Sequence, residues 1–385
     1  MKVIDVAEFY ALQGGGVKTY IHQKLRAGSE LGHEVVIVAP GPEAGEEEKF
    51  GGRIIWVKGP PMPFDPRYYV LWNEKKVHQI LDAEKPDLVE GSSPWSGGWF
   101  VNRWKGDAPK ALIFHQDPVA VFAETALDRF ASRRGINRAV APFWGYLRKL
   151  SNRYDTTVTS GRWLADKLAG QGIRNPHAVA FGIDKARFNP THAKADTRAR
   201  LCEACGVSEN AKLILTVSRM HPEKRYGTIF SAFEEARKSQ EMGLVVFGDG
   251  PMKSRVHKRG NSIPGVHFAG YTSDPGELPR VYASCDAMLH GSAAETYGLV
   301  IAEAICSGLP VVVPDIGGAA DLAQPAYSEV YPPGQASEGA RALLRLLERD
   351  TAGIRAACAE ATQHRVGTMD EHFAELFDYY ASVAG

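Results

Sequence analysis

The sequence of 385 residues lacks several features that define whole classes of protein. Five cysteines are too few for a disulfide framework, which favours a reducing, cytoplasmic compartment. No run of roughly 18 apolar residues is present, so no membrane-spanning helix is predicted. Lys plus Arg and Asp plus Glu each number 45, so no overall electric field favours nucleic acid as a partner. The N-terminal residues Met1–Val6 include an acid and predict a first strand, not a signal peptide.

A motif for chelating a metal is absent as well. No Asp lies two residues from another Asp, and such a pair commonly holds a metal ion on a nucleoside diphosphate. Chemistry without a metal or cofactor is therefore expected, with cationic side chains and a helix terminus in the metal's place. Cys202 and Cys205 form a C-x-x-C without a second pair, and we interpret them as part of a helix, not as a metal site.

Short apolar runs alternate with helical patterns along the chain, which predicts parallel sheets with helices on both faces. In the first half, the predicted strands are Val3–Phe9, Glu34–Ala39, Arg53–Lys58, Asp87–Glu90 and Ala111–His115. The predicted helices there are Val17–Leu31, Tyr68–Glu84 and Trp163–Gln171. In the second half, strands are predicted at Leu213–Val217, Leu244–Phe247, Val266–Ala269, Asp286–His290 and Val311–Pro314.

The chain is too long for one compact core and predicts an α/β protein with two doubly wound, Rossmann-like domains. The expected domains are residues 1–190 and 211–360. The polar stretch Asn189–Asn210 lacks a strand pattern and predicts the connection between the domains, placed at 191–210. A final helical segment, Gly353–Ala384, supplies a C-terminal helix at 361–385. Ligands bind at the carboxyl ends of the strands in such sheets.

The most informative motif lies between two predicted strands of the second half. Glu295 stands in a loop, Gly298 follows it, and Glu303 lies eight residues after Glu295 on the next helix. The amides of Gly298, Leu299 and Val300 would be free donors at the start of that helix, which makes it an anion site. A carboxylate beside an anion site is suited to accept hydrogen bonds from hydroxyl groups. Anion and hydroxyls together indicate a sugar phosphate or a nucleotide.

Three further motifs follow predicted strands. Gly14, Gly15 and Gly16 separate the first strand from the first helix, where glycine allows a phosphate or sugar to approach the backbone. Arg219 and Lys224 follow the first strand of the second half and could hold a diphosphate. Gly248 belongs to a Gly-Asp-Gly-Pro loop, which lacks the third glycine of a dinucleotide fingerprint.

Together these motifs resemble the retaining family-4 glycosyltransferases of the GT-B fold, and the resemblance covers nearly the whole chain. Glu295 and Glu303 match the E-x7-E motif, and Arg219 with Lys224 matches the R-x4-K motif. The resemblance implies two domains that face a cleft, with the final helix returning to the N-terminal domain. The family often has Gly after the Lys, whereas Arg225 stands here and could supply a third cation.

The resemblance also implies a role for each residue. The predicted catalytic set is His115, Glu295, Arg219 and Lys224. Arg219, Lys224 and the amides of Gly298, Leu299 and Val300 would bind the donor diphosphate, which Gly15 and Gly16 would also face. Glu303 would bind the ribose hydroxyls, Glu295 a hydroxyl of the donor sugar, and Gly248 would lie near the base. His115 follows the fifth strand, where the family commonly has a His that contacts the transferred sugar; a polar strand end is the alternative.

The acceptor is indicated only by a regional pattern. Seven cations and no acid occur over Arg129–Arg153, interleaved with aromatic residues. Such a stretch suits an anionic membrane or a lipid acceptor, which would add peripheral membrane association to a cytoplasmic protein. An ordinary surface helix that packs its aromatic face inward explains the same pattern.

The expected activity is transfer of a hexose from a UDP- or GDP-sugar to a hydroxyl of a glycan, a glycolipid or another small acceptor. A GT-B sugar-nucleotide epimerase or phosphorylase is a second enzyme hypothesis. A catalytically inactive scaffold that binds nucleotide sugars is the non-enzymatic one.

Overall fold

The computed structural model describes residues 1–10, 16–63, 65–127, 133–270 and 274–385. The strands are β1 (Lys2–Val6), β2 (Glu34–Gly41), β3 (Gly45–Lys49), β4 (Gly52–Lys58), β5 (Pro61–Met62), β6 (Asp65–Tyr69), β7 (Leu88–Gly91), β8 (Lys110–Phe114), β9 (Thr156–Thr159), β10 (Pro176–Ala178), β11 (Lys212–Val217), β12 (Met242–Phe247), β13 (Val266–Gly270), β14 (Ala287–Leu289), β15 (Val311–Pro314) and β16 (Ser328–Tyr331).

The α-helices are α1 (Gly16–Glu30), α2 (Glu74–Glu84), α3 (Ser96–Arg103), α4 (Thr125–Leu127), α5 (Arg133–Ala139), α6 (Ala141–Ser151), α7 (Arg162–Gly170), α8 (Ala195–Cys205), α9 (Tyr226–Ala236), α10 (Lys253–Gly260), α11 (Glu277–Ser284), α12 (Leu299–Cys306), α13 (Gly318–Leu322), α14 (Ala336–Leu347), α15 (Thr351–His364) and α16 (Met369–Ala384). A π-helix spans Val119–Glu124, and 3₁₀ turns lie at Pro190–His192 and Pro222–Lys224. None of the helices in the described part of the chain combines the length and apolar character that a membrane crossing needs.

The chain divides into two units that are not continuous in sequence. The first consists of Met1–His115, Ala139–Ala180 and Met369–Gly385, and the second of Gln116–Arg138 and Phe181–Thr368. The C-terminal helix α16 therefore belongs to the first unit.

The first unit is built on an eight-stranded sheet in the order β10-β9-β8-β7-β1-β2-β4-β3. Its strands are parallel except β3, which pairs antiparallel with β4 at the edge. Buried apolar side chains of β1, β2, β7 and β8 pack against α1 and α16. The strand order reverses between β1 and β7, the point at which doubly wound sheets bind ligands.

The second unit has a six-stranded parallel sheet in the order β13-β12-β11-β14-β15-β16. Its central strands are mostly apolar and buried, as in parallel sheets whose two faces are both covered by helices. The order reverses between β11 and β14. The predicted α/β class with two Rossmann-like, parallel-stranded units is confirmed.

Two predicted elements differ from the structure. The helix predicted at Tyr68–Glu84 begins only at Glu74. Tyr69 belongs to β6 and pairs with Pro61 of β5, and the side chain of Asn73 caps the helix by accepting a hydrogen bond from the amide of Lys76. The segment predicted as one helix at Gly353–Ala384 is two helices, α15 and α16, and Val366 between them is buried. By contrast, helix α8 within Asn189–Asn210 contains Cys202 and Cys205, the two residues interpreted as part of a helix, and its apolar face is buried.

Candidate active site

The chemically informative residues of the second unit follow the two strands between which the strand order reverses. Lys224 lies in the loop after β11, and Glu295 lies in the loop after the neighbouring strand β14. Their side chains meet, with Nζ of Lys224 2.5 Å from Oε1 of Glu295. The fold thus joins a cation and a carboxylate that are 71 residues apart in sequence.

A histidine completes this contact. His290, directly after β14, is buried, and its Nε2 lies 3.1 Å from the same Oε1 of Glu295. Burial alone would raise the pKa of Glu295, but Lys224 and His290 outweigh it and hold that pKa well below its usual range. Burial likewise opposes the charge of Lys224, yet Glu295 and Glu223 raise the pKa of its ammonium. The two side chains therefore stay ionised as a pair.

The predicted anion site lies at the start of α12. The helix begins at Leu299, and Gly298 is its N-cap residue in the left-handed region at φ +95°. Because Gly298 has no side chain, it cannot cap the amides of the first turn, as Ser or Asp would. The amides of Leu299 and Val300 occupy the first two helical positions, where an α-helix offers donors to an anion.

Glu303 lies on α12 and is held by a tyrosine from α11. The hydroxyl of Tyr282 donates to Oε2 of Glu303 at 2.9 Å. Burial raises the pKa of Glu303 to about 7, although Tyr282 and Arg187 favour its ionised form. Glu295 therefore stays ionised near neutral pH, whereas Glu303 titrates in that range.

The other predicted cations have different environments. Arg219 is exposed at the end of β11 and is accessible to a ligand. Arg225, in the position where the family often has Gly, adopts φ +50° at the N-cap of α9. A residue with a Cβ is strained in this left-handed conformation, which explains why Gly is favoured at this point.

The glycine loop after β12 closes against the loop after β11. Gly248 has φ +149°, and a Cβ built on it would lie 2.0 Å from the carbonyl oxygen of Ser218. The amide of Met220 donates to the carbonyl of Asp249 at 2.8 Å, and the amide of Met252 donates to the carbonyl of Met220 at 3.0 Å. Gly248 is therefore required by the close approach of two backbones.

Two predicted site residues of the first unit are described. Gly16 is the first residue of α1 and is exposed, whereas Gly15 and the rest of the predicted glycine loop lie outside the described residues. His115 follows β8, and its ring lies 5.2 Å from that of Tyr20 in an edge-to-face contact. Burial lowers the pKa of His115 to about 4, so the ring is neutral at physiological pH.

Comparison with known proteins agrees with this arrangement. A model described as "Glycosyltransferase Family 4" matches residues 14–187, and one described as "Glycosyl transferases group 1" matches residues 201–365. An alpha-monoglucosyldiacylglycerol synthase of Streptococcus pneumoniae is 30% identical over 325 residues, 81% of this chain and 70% of that protein. The chain belongs to the family-4-like glycosyltransferases of the GT-B fold. The family predicted from the motifs is confirmed.

Further similarities extend over most of this glycosyltransferase. A GDP-mannose-dependent alpha-mannosyltransferase of Mycobacterium tuberculosis is 29% identical, over 84% of this chain and 82% of that protein. The crystal structure of a sucrose-phosphate synthase from Thermosynechococcus elongatus superposes with a TM-score of 0.75 at 16% identity, covering 99% of this chain and 98% of the other. At that identity, the superposition shows a shared fold.

Some contacts of the site are not evident from the motifs. His290 ends a predicted strand and Tyr282 lies in an apolar helical pattern, so neither stands out in the sequence. In the folded chain His290 lies beside Glu295, and Tyr282 lies beside Glu303. Within residues 1–10, 16–63, 65–127, 133–270 and 274–385, no group of three or more His, Cys, Asp or Glu side chains is arranged to hold a metal, and metal independence stays a prediction.

Proposed function

We propose that this glycosyltransferase is a retaining hexosyltransferase that moves a hexose from a nucleoside-diphosphate sugar to a hydroxyl of its acceptor. The observation that carries the proposal is the 2.5 Å pair of Lys224 and Glu295 between β11 and β14. The pair joins a cation suited to a diphosphate and a carboxylate suited to a sugar hydroxyl, at the point where doubly wound sheets bind ligands.

The leaving diphosphate gains negative charge as the bond to the hexose breaks. Lys224, Arg219 and the amides of Leu299 and Val300 would stabilise that charge in the proposed reaction. Each of these donors is fixed before substrate binds except the exposed Arg219. No metal ion is required for this role.

Glu295 is unsuited to act as a general base in the reaction. Its carboxylate is paired with Lys224 and His290, and its pKa lies well below the usual range, so it holds a proton poorly. We therefore assign Glu295 to a hydroxyl of the donor sugar. The acceptor oxygen would form its bond to the anomeric carbon on the face that the diphosphate leaves, and the departing phosphate oxygen would take the acceptor's proton. This course retains the anomeric configuration.

Named relatives support a choice of donor and acceptor. Five carry GDP-mannose dependence in their names, two of these name a phosphatidylinositol dimannoside, and another relative is an alpha-monoglucosyldiacylglycerol synthase. We propose GDP-mannose as the first donor to test, UDP-hexoses as the second, and a glycolipid as the acceptor class.

The test is hydrolysis and transfer with a panel of nucleoside-diphosphate sugars and glycolipids, followed by NMR of the anomeric proton in the product. An α-linked product from an α-linked donor supports retention, and a β-linked product refutes it. Lys224→Ala should lower turnover by roughly 100-fold, as loss of one such donor typically does. Lys238, exposed after α9, is the matched control, and Lys238→Ala should leave turnover unchanged.

The proposal also includes association of this protein with an anionic membrane through α6. In α6, Trp144 is buried, so part of the aromatic face packs inward. Phe143 and Tyr146 stack on each other beside Trp95, which is 41% exposed. Arg148 and Lys149 are exposed in the last turn of the same helix. Aromatic rings next to cations suit the level of lipid headgroups.

Liposome flotation tests this association. Binding to anionic but not neutral vesicles, weakened by salt and by Lys149→Ser with Trp95→Ser, would support it. Absence of binding to both vesicle types would indicate a soluble acceptor. Arg129, at the start of the predicted basic stretch, lies outside the described residues.

A further inference from the structure

His290, in the second unit, is a buried side chain whose hydrogen-bonding capacity is unused. The residue is 1% exposed. In the part of the chain that the structure describes, no atom makes a hydrogen bond with Nδ1 or Nε2 of its ring. Burial of a polar group without a hydrogen bond costs free energy of folding, so such a group in a native protein calls for a functional explanation.

The sheet fixes the backbone of His290 on both sides. The residue follows β14, and its amide donates to the carbonyl of Val312 in β15 at 2.9 Å. Its own carbonyl accepts from the hydroxyl of Tyr331, the last residue of β16, at 2.6 Å. Since three neighbouring strands hold this residue, the position of its ring is set by the sheet.

The ring of His290 faces a carboxylate that the proposed reaction uses. Nε2 lies 3.1 Å from Oε1 of Glu295, without the alignment of a hydrogen bond. An ionised carboxylate can only accept hydrogen bonds, so the nitrogen that faces it is expected to carry the imidazole proton. Functional hydrogen bonds are often poorly aligned before the substrate binds and tighten in its complex. A small rotation of either side chain would make this contact a hydrogen bond.

Both neighbours of Glu295 approach the same oxygen of its carboxylate. Nζ of Lys224 is 2.5 Å from Oε1, the atom that Nε2 of His290 also approaches. Among the described residues, no hydrogen bond reaches Oε2, and the side chain of Glu295 is 16% exposed. Oε2 is therefore the oxygen that remains available to a hydroxyl group of a ligand.

A purely structural role for His290 fits these observations poorly. The preceding residues of β14, Ala287–Leu289, are apolar and buried. An apolar side chain at position 290 would fill the same space without leaving two ring nitrogens unbonded in the protein interior. Retention of a costly polar group beside a functional carboxylate is typical of residues that favour activity at the expense of stability.

We propose that His290 is a positioning residue of the hexose transfer, which fixes the carboxylate of Glu295 through Oε1 so that Oε2 accepts a hydroxyl of the donor hexose. The inference rests on the proposed function, in which Glu295 binds that hydroxyl. Lys224 alone is unsuited to hold the carboxylate, because the bound diphosphate competes with Glu295 for its ammonium group. His290 is buried next to Glu295 and keeps its hold on Oε1 while Lys224 turns towards the phosphates.

The first test is His290→Leu, which puts an apolar side chain into the buried position. The kcat of hexose transfer should fall by roughly 10- to 100-fold, as expected when a hydrogen bond to a charged group is lost. The calorimetric affinity for free GDP should change by less than about twofold, since Glu295 binds the hexose and not the nucleotide. The denaturation midpoint should stay equal or rise, because an unbonded polar group leaves the protein interior.

His290→Gln is the rescue variant, because the amide nitrogen of its side chain can donate to Oε1 of Glu295. It should restore most of the transfer that His290→Leu loses. Thr216→Val is the matched control. The Thr216 hydroxyl, on the neighbouring strand β11, is likewise buried and without a hydrogen bond in the described part of the chain, and its removal should leave transfer unchanged.

A double-variant cycle tests whether His290 acts through Glu295. In the Glu295→Ala background, His290→Leu should change transfer by less than about twofold, because no carboxylate is left to position. Calorimetry without acceptor gives a readout that needs no turnover, with GDP-mannose or, if it does not bind, the UDP-hexose that does. The gain in affinity of the sugar nucleotide over the free nucleotide should shrink in His290→Leu. Adding His290→Leu to Glu295→Ala should reduce that gain no further.

Wild-type transfer by His290→Leu would overturn the inference while leaving the proposed function intact. An equal loss with and without the carboxylate of Glu295 would overturn it as well. A loss of transfer with a lowered denaturation midpoint that His290→Gln does not rescue would identify a structural role instead.

Absence of transfer from every donor would refute the proposed function, and the calorimetric cycle would then decide on His290 by itself. A weaker sugar nucleotide in His290→Leu, with unchanged affinity for the free nucleotide, supports the inference. Equal affinities in the wild type and His290→Leu, or no binding of any sugar nucleotide, overturn it.

Discussion

Binding of the nucleoside diphosphate should depend on pH through Glu303. Burial raises the pKa of this carboxyl to about 7, and only the ionised form accepts hydrogen bonds from both ribose hydroxyls. With a pKa near 7, about one-tenth of the protein is ionised at Glu303 at pH 6 and about nine-tenths at pH 8. Because the apparent affinity scales with the competent fraction, binding should tighten roughly tenfold between these pH values.

Glu303→Gln is the perturbation that isolates this effect. The amide keeps the shape of the side chain and cannot ionise. The affinity of the variant for the nucleoside diphosphate should therefore lack the tenfold change with pH that is assigned to Glu303. Loss of hydrogen bonds to a charged acceptor costs about 1.5–3 kcal/mol, which corresponds to roughly 10- to 100-fold weaker binding at pH 8 and much less at pH 6.

Isothermal titration calorimetry with GDP and UDP at pH 6, 7 and 8 measures both proteins. The phosphate groups of the ligand titrate in the same pH range, but they affect binding to the wild type and to Glu303→Gln equally. The difference in binding free energy between the two proteins at each pH is therefore free of this effect. If the nucleotide affinities of the wild type and of Glu303→Gln change with pH in parallel, the role of Glu303 is refuted.

The same pKa has a consequence for folding. The folded pKa of Glu303 is raised above the unfolded value of 4.5, so its contribution to stability is fully present below pH 4.5 and is lost as pH rises through about 7. The free energy of unfolding of Glu303→Gln, measured with denaturant at several pH values, should not show this decline with rising pH. Equal declines in the two proteins would show that the folded carboxyl titrates normally.

Four other outcomes are expected. Glu295→Ala should leave the calorimetric affinity for free nucleoside diphosphate nearly unchanged while lowering hexose transfer, and a large loss of nucleotide affinity would reverse the assigned roles. Arg225→Gly should raise the free energy of unfolding by about 1 kcal/mol through relief of the left-handed backbone, with weaker binding of the diphosphate if the guanidinium serves as a third cation. Gly248→Ala should lower the free energy of unfolding by more than about 2 kcal/mol, because its Cβ meets a backbone carbonyl; an unchanged denaturation midpoint would contradict the close approach. Addition of a chelator should leave transfer intact, and strict dependence on magnesium or manganese would reveal a metal site.

Local patterns predicted much of the architecture. The apolar runs around β11, β12, β14 and β15 are each followed by a Gly, Pro or polar break, and each forms a strand. The helix start at Leu299 was predicted from Gly298 and the apolar residues that follow it, and it is found there. These features depend on neighbours in sequence, which a reader of the sequence sees directly.

Segments with weaker local signals were less well predicted. The acidic edge strand β3 was missed because Glu-rich sequence rarely forms strands and its pairing partner, β4, decides its conformation. The first residues of the predicted helix at Tyr68–Glu84 were wrong for a similar reason, since pairing with β5 overrides the helical pattern. Only the part of helix α8 around Cys202 and Cys205 was predicted, because the rest of the stretch is polar and only one face of the helix is buried.

The sequence by itself determined the class of this protein: its motifs carry the family, and their spacing puts Lys224, Glu295 and Glu303 after the proper strands. Only the tertiary structure decided the state of those side chains. Lys224 and Glu295 are ionised as a pair because two neighbouring strands bring them to 2.5 Å. Asp5 and Glu90 lie side by side because β1 and β7 are adjacent and in register, although 85 positions separate them along the chain. Protonation depends on burial and on distance to other charges, and both are properties of the folded chain.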